Sequence, residues 1–176
     1  SHYMDDVEYT KEILHGDIHT ANQTAAGLAT RDQAKTFIYA FLYGAGDAKL
    51  GTITGGSARD GRRLKTQFLT NTPALANLRD RVGTAANRGY LTGLDGRKLW
   101  IRSPHAALNT LLQSAGAIVM KKALTLLEEY AKLYNIQYKF VGNIHDEIQA
   151  EVREDQAKTF GWLAVECIKA AGVKLN

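Results

Sequence analysis

In the stretch TRDQAKTFIYAFLYG, Arg31, Lys35, Tyr39 and Tyr43 recur every four residues. At about 100° per residue such a series drifts through only about 120° of a helix surface. The four side chains therefore share one face, while Ala34, Phe37, Ile38 and Phe41 fall on the other. Two permanent cations followed by two aromatic rings suit one elongated ligand, because cations match phosphates and rings match a sugar and a base. A nucleoside triphosphate lying along this face is one reading; an amphipathic helix with half-buried tyrosines is the other.

A second face steps by four through His105, Asn109 and Gln113, with Leu108, Leu111, Leu112 and Ala115 opposite. Asn and Gln carry both donors and acceptors, so a line of them can contact the minor-groove edge of any correct base pair, where acceptors sit in nearly equivalent places. An ordinary polar helix face has the same pattern. A third cluster, His145-Asp146-Glu147, lies between two strand-like runs, where a hairpin bend would project its carboxylates in a geometry that suits Mg²⁺, a hard cation with a preference for oxygen. A solvated bend is the more common meaning of such a tripeptide taken alone.

These residues need elements to hold them. DDVEYTKEILHG reads as a helix closed by Gly16, and DIHTANQTAAG as one capped by Asp17 and closed by Gly27. The cation–tyrosine helix is capped by Thr30 and stops at Gly44. GAGDAKLGTITGG reads as a glycine-rich connection, followed by helices over 57–70 and, with Pro73 in its first turn, 73–88. The second half changes texture: two short strands around an Asp95-Gly96 turn, a long helix from Pro104 to Leu133, strands on either side of HDE, and a final helix over 154–172. The pattern predicts an α+β fold, predominantly helical, with a soft boundary near residue 89 and helices on a small antiparallel sheet beyond it.

With 176 residues, 45% of them hydrophobic and 23% charged, the chain can bury one respectable core or split it between two lobes. Cys167, the single cysteine, excludes a disulfide framework or a zinc knuckle and fits a reducing compartment. No apolar run approaches the ~20 residues that span a bilayer, so no membrane partner is expected. SHYMDDVEY lacks the basic end and apolar middle of a signal peptide, which makes the cytoplasm the expected location. Net charge is +4, but ten Lys or Arg and three acids between Arg59 and Arg102 make a local +7. This basic middle, which ends in Arg97, Lys98 and Arg102, reads either as a footprint for a polyanion such as DNA or as solvated helix faces.

Taken together, these stretches resemble the family A DNA polymerases. RDQAKTFIYAFLYGAG matches the nucleotide-binding helix of that family, motif B: an Arg, a Lys four residues on, an aromatic four further, then Tyr-Gly. GRKLWIRSPHAALNTLLQSAGA and HDEIQ match palm segments that follow, the last being motif C. GDIHTANQ, FLYGAGDAKLG and SPHAALNTLLQSAGA are similar in particular to replicative polymerases of T-seven-like short-tailed phages. The match covers essentially the whole chain in order.

The resemblance implies fingers-like helices over 1–88, a partial palm over 89–176, and template-directed addition of dNTPs to a primer 3′-hydroxyl. Arg31, Lys35 and His19 would meet the triphosphate, with Lys35 also stabilising or protonating the departing pyrophosphate. Tyr39 would close over the sugar, in the form that tolerates 3′-deoxy chain terminators, and Tyr43 and Gly44 would sit where the templating base stacks. His105, Asn109 and Gln113 would read the primer-template minor groove, with His105 where cellular relatives often have Arg. Asp146 would bind catalytic metal, His145 would contact the primer end, and Glu147 would lie beside the metals. Two Mg²⁺ ions about 4 Å apart would serve the attacking and leaving oxygens.

The sequence departs from the family in one respect. The second metal-binding aspartate belongs to a segment resembling Asp-x-Ser-x-x-Glu-Leu-Arg, expected just before SHYMDD, and no such string is present; Asp5 and Asp6 are poor substitutes. The chain also opens on Ser1 and reaches its first methionine at Met4. The expectation is a portion of a polymerase that is inactive without the upstream palm, with thumb and exonuclease segments further upstream and any processivity factor bound outside this portion. A non-catalytic DNA or nucleotide binding module of the same fold is the alternative, and a metal-dependent nuclease built on HDE a third reading that leaves the cation–tyrosine face unexplained.

Overall fold

The computed structural model describes residues 2–175. Its helices α1 (Val7–His15), α2 (Ile18–Ala26), α3 (Arg31–Leu42), α4 (Asp47–Thr52), α5 (Ala58–Asn71) and α6 (Pro73–Ala86) come first. They are followed by strands β1 (Tyr90–Thr92) and β2 (Lys98–Trp100), the long helix α7 (Ala107–Leu133), strands β3 (Tyr138–Ile144) and β4 (Glu147–Val152), and helix α8 (Ala157–Leu175). The fold is α+β and predominantly helical, with two small two-stranded sheets, β1–β2 and β3–β4. Among the described residues no helix is long and apolar enough to cross a membrane.

Local chemistry explains where the helices of the site begin. The Asp17 side chain accepts from the backbone N–H groups of His19 and Thr20, two donors that the first turn of α2 would otherwise leave unpaired. Gly27, at φ 66°, then turns the chain in the left-handed region that favours glycine. Thr30 starts α3 through a reciprocal capping box with Gln33.

The chain divides into two compact units, Ser1–Leu91 with Trp100–Thr110, and Thr92–Leu99 with Leu111–Asn176. The return of Trp100–Thr110 to the first unit means that a single cut at residue 89 does not reproduce this division. In the first unit, Phe37, Phe41 and Phe68 form a fully or almost fully buried ring cluster. Phe68 meets Phe37 and Phe41 edge-on at 5.3 and 5.5 Å, the geometry that the ring quadrupole favours. In the second unit, Ala123, Leu126, Leu127 and Ala131 of α7 pack with Phe160, Leu163, Cys167 and Ala171 of α8. One face of the β3–β4 hairpin covers them, through Tyr138, Ile148, Ala150 and Val152. Burial pushes the Cys167 thiol up, away from its reactive thiolate form.

Two expectations need correction. The glycine-rich stretch around residue 50 is not a simple connection, because Asp47–Thr52 forms α4 with Leu50 fully buried. Gly51 of this stretch and Gly61 of α5 let α4 and α5 approach: a Cβ on Gly61 would fall 1.9 Å from the Asp47 carbonyl oxygen, and one on Gly51 2.0 Å from that of Ser57. The long and final helices also start later than expected, since Pro104–Ala106 and Glu154–Gln156 are single 3₁₀ turns ahead of α7 and α8.

Truncating the centre of the ring cluster, Phe68→Ala, is expected to lower stability by about 3–5 kcal/mol. Urea unfolding should show an earlier midpoint with an unchanged slope.

Candidate nucleotide and nucleic-acid site

Because the ring cluster fixes the buried side of α3, it also fixes the exposed one. Ala34, Phe37, Ile38 and Phe41 are buried, whereas Arg31, Lys35, Tyr39 and Tyr43 are exposed. Tyr39 and Tyr43 are 47% and 56% exposed, too open to be core tyrosines and available for a flat ligand. His19 of α2 joins this face, its ring 6.2 Å from that of Tyr39 and tilted by 54°. The Arg31 guanidinium is anchored from α2 as well, with Nε 2.6 Å from Asp17 Oδ2 and Nη2 3.1 Å from Oδ1.

At the far end of α3 the chain leaves through Gly44, at φ 79°. A Cβ there would come within 2.6 Å of the His105 carbonyl oxygen, so both the left-handed backbone and the close approach call for glycine. An open depression of about 960 Å³ lies beside this contact, lined among others by Gly44, Asp47, Lys65, Arg79, Asp80 and His105. His105 sits in the 3₁₀ turn rather than on α7, so the expected helical face of His105, Asn109 and Gln113 begins one turn before the helix itself. Asn109 is half-buried and Gln113 exposed, while Leu108 and Leu111 are buried on the opposite side.

The basic middle is partly engaged within the protein. Lys65, and after it Arg62, hold the Asp47 carboxylate and keep it below the usual carboxylate range. Arg97 closes on Asp95 at 2.6 Å, Arg81 donates to the Tyr3 carbonyl oxygen, and the Arg88 guanidinium lies 5.6 Å from the centre of the Tyr90 ring. Lys98 and Arg102 are exposed. The partners of Arg62, Lys65 and Arg81 lie in distant segments, which leave no spacing signature in the sequence.

The second unit holds the remaining candidates. β3 and β4 pair antiparallel with Ile144 opposite Glu147, so His145 and Asp146 are the whole of a two-residue turn. His145 adopts a left-handed φ of 56°, Asp146 is exposed, and Glu147 opens β4 and accepts from the Gln149 amide at 2.7 Å. Among the described residues no three His, Cys, Asp or Glu side chains converge as metal ligands. The adjacent exposed carboxylates of Asp146 and Glu147 fall short of the oxygen shell that Mg²⁺ requires, so these residues do not by themselves fit the ion.

Asp17, which the sequence marks only as a helix cap, is also the partner of Arg31. Arg31 donation, followed by that of the Thr20 hydroxyl and the first-turn N–H groups, holds its carboxyl far below the usual range. A carboxyl whose pKa is depressed on folding contributes stability that is complete above its unfolded value, about 3.9, and is lost as pH falls toward the folded one. The Asp17 carboxyl ¹³C resonance should therefore titrate well below its neighbours. Arg31→Ala should move that midpoint back toward the ordinary value, leaving only the hydroxyl and backbone donors to depress it.

The model of DNA polymerase family A matches residues 9–176. The DNA-directed DNA polymerase of Enterobacteria phage T3 is 46% identical, in an alignment that covers 100% of this chain and 29% of that protein. The enzyme of the same name from Escherichia phage T7 is also 46% identical, over 89% of this chain and 26% of its own. The chain thus spans less than a third of the length of these relatives. A solved structure described as the POL domain of Pol1 from M. smegmatis, in complex with DNA primer-template and dNTP, shares the fold with a TM-score of 0.84 at 20% identity, over 97% of this chain and 34% of that one. A family model that takes in nearly every residue, together with phage relatives at this identity, settles the kinship: the chain belongs to DNA polymerase family A.

Proposed function

We propose that this chain carries the nucleotide-gripping and template-reading part of a DNA-directed DNA polymerase, which adds dNTPs to a primer 3′-hydroxyl. The observation that carries the reading is the exposed Arg31–Lys35–Tyr39–Tyr43 face of α3, with His19 beside it and an opposite face that is wholly core. In this reading Arg31, Lys35 and His19 bind the triphosphate, and Lys35 donates a proton or hydrogen bond to the departing pyrophosphate. Tyr39 covers the sugar; Tyr43 and Gly44 border the templating base. His105, Asn109 and Gln113 read the minor groove, and Arg97, Lys98 and Arg102 contact DNA. Residues 1–88 then act as fingers and 89–176 as part of a palm, where His145 meets the primer end and Glu147 flanks Asp146.

Asp146 supplies one carboxylate toward Mg²⁺, and among the described residues no group of three or more His, Cys, Asp or Glu side chains gathers around it. What this chain's own side chains provide is therefore positive charge at the phosphates, flat surfaces at the base and sugar, and uncharged hydrogen-bonding groups at the groove. Each acts by positioning, which converts the encounter of primer, template and nucleotide into a step within one complex.

A chimera in which this chain replaces the matching residues of the phage T3 polymerase tests the proposal. It should extend a primer. Within the chimera, Lys35→Ala should lower kcat by about a hundredfold or more, the scale of a lost general acid, and Asp146→Asn should abolish extension while DNA binding persists. A folded chimera that binds primer-template and dNTP yet extends nothing would favour a binding module, and Mg²⁺-dependent nicking of plasmid DNA would favour a nuclease.

A further inference from the structure

Two of the groups assigned to the triphosphate hang on a third that no motif names. The Asp17 carboxylate accepts from the His19 backbone N–H at 3.1 Å, and from the backbone N–H and hydroxyl of Thr20 at 3.4 and 2.9 Å. The same two oxygens receive Arg31, through Nε at 2.6 Å and Nη2 at 3.1 Å. This is the side-on fork of a guanidinium. It occupies the Nε hydrogen and one hydrogen of Nη2, and leaves both hydrogens of Nη1 and the second of Nη2 at the end of the side chain. That end-on set is enough to meet a phosphate while the carboxylate stays in place.

The carboxylate has two opposed effects on an incoming polyanion. Its charge repels, and its grip on Arg31 removes rotamer freedom that phosphate binding would otherwise have to remove. Arg31 and Asp17 side chains are 50% and 43% exposed, so the repulsion is screened by water and salt, and it is further offset by the guanidinium against which the carboxylate lies. Screening weakens the ion pair as well, but its two directional hydrogen bonds, at 2.6 and 3.1 Å, lose less to it than the longer-range repulsion does, so the ordering prevails.

We propose that Asp17 is a positioning residue of the nucleotide site, which holds Arg31 by its Nε edge and His19 by its backbone so that both meet one phosphate chain. This rests on the nucleotide reading of the α3 face given above. The carboxylate joins the start of α2 to the start of α3, so a change at either helix reaches the phosphate-binding groups of both.

The test uses the full 176-residue chain, with dGTP as titrant and calorimetry as readout. Asn and Ser cap helices as well as Asp does, so Asp17→Asn and Asp17→Ser remove the charge and spare α2. Thermal midpoints should fall only by the small contribution of an exposed ion pair, with α2 still capped, whereas dGTP affinity should fall roughly threefold in both variants, the order expected for such a pair. Arg31→Ala should weaken binding more. The double variant Asp17→Asn/Arg31→Ala should bind no worse than Arg31→Ala alone, because Asn still accepts from the His19 N–H as a cap and the part that acts through Arg31 has nothing left to position. The Arg31 Nε–H resonance should shift in Asp17→Asn, which a purely structural role at the cap would not cause. Unchanged or tighter binding in both Asp17 variants overturns the proposal, as does a loss that persists in the Arg31→Ala background. If the parent binds no dGTP, or Arg31→Ala binds as the parent does, the nucleotide reading itself fails and the positioning role falls with it.

Discussion

The edge-on packing of Phe68 against Phe37 and Phe41 is the contact on which the candidate site depends. An amphipathic helix is free to roll until its apolar stripe is seated, and rings of this size can be seated in few ways at interior packing density. Once Phe37 and Phe41 are buried, the residues four apart from Arg31 to Tyr43 have no choice of direction. Their exposure costs little, because cations and tyrosine hydroxyls keep their water there. The site is therefore a by-product of core packing, and the stability of the first unit and the aim of its binding face are one property.

Glycine contributes to this unit by what it leaves out. At Gly51 and Gly61 the missing side chains let α4 and α5 come close enough for backbone oxygens to occupy the space a Cβ would take. Asp47 then lies within reach of both Arg62 and Lys65. Gly44 does similar work at the exit of α3, where the approach of the His105 carbonyl places two sequence-distant candidates side by side. Cations that look like a continuous electrostatic footprint are thus divided between those that fasten helices and those that stay open to a ligand. Net charge by itself does not reveal that division, since a guanidinium paired at 2.6 Å, as Arg97 is with Asp95, counts the same in a sequence as a free one.

This division marks how much was legible beforehand. α3 could be read because three independent signals agree over its length: a cap at Thr30, a 3.6-residue apolar period and a glycine stop at Gly44. The HDE turn could be read because strand alternation on both sides leaves only two residues to turn, and the register with Ile144 opposite Glu147 follows from it. α4 could not, because glycine has the same signature whether it frees a loop or admits a neighbouring helix. Asp17 was legible as a cap and illegible as the partner of Arg31. The cap is a local rule, whereas the ion pair exists only once α2 and α3 have packed.

The turn at His145 and Asp146 shows how a small hairpin can hold residues at a defined place without burying them. β4 alternates between exposed and half-buried positions, and its inward residues Ile148, Ala150 and Val152 lie against α7 and α8. A one-residue slip would turn all three to water and bring Gln149 and Glu151 inward, so the register is set by burial even though the strands are short. β3 has to satisfy the same register with Gly142 opposite Gln149 and Phe140 opposite Ala150, and it does so by bulging at Val141, which is left 70% exposed. The irregularity is thereby confined to the middle of β3, and the pairs from Gly142 to the turn remain regular. Asp146 owes its fixed position to that chain of constraints, and its exposure to the fact that the turn itself takes no part in the core.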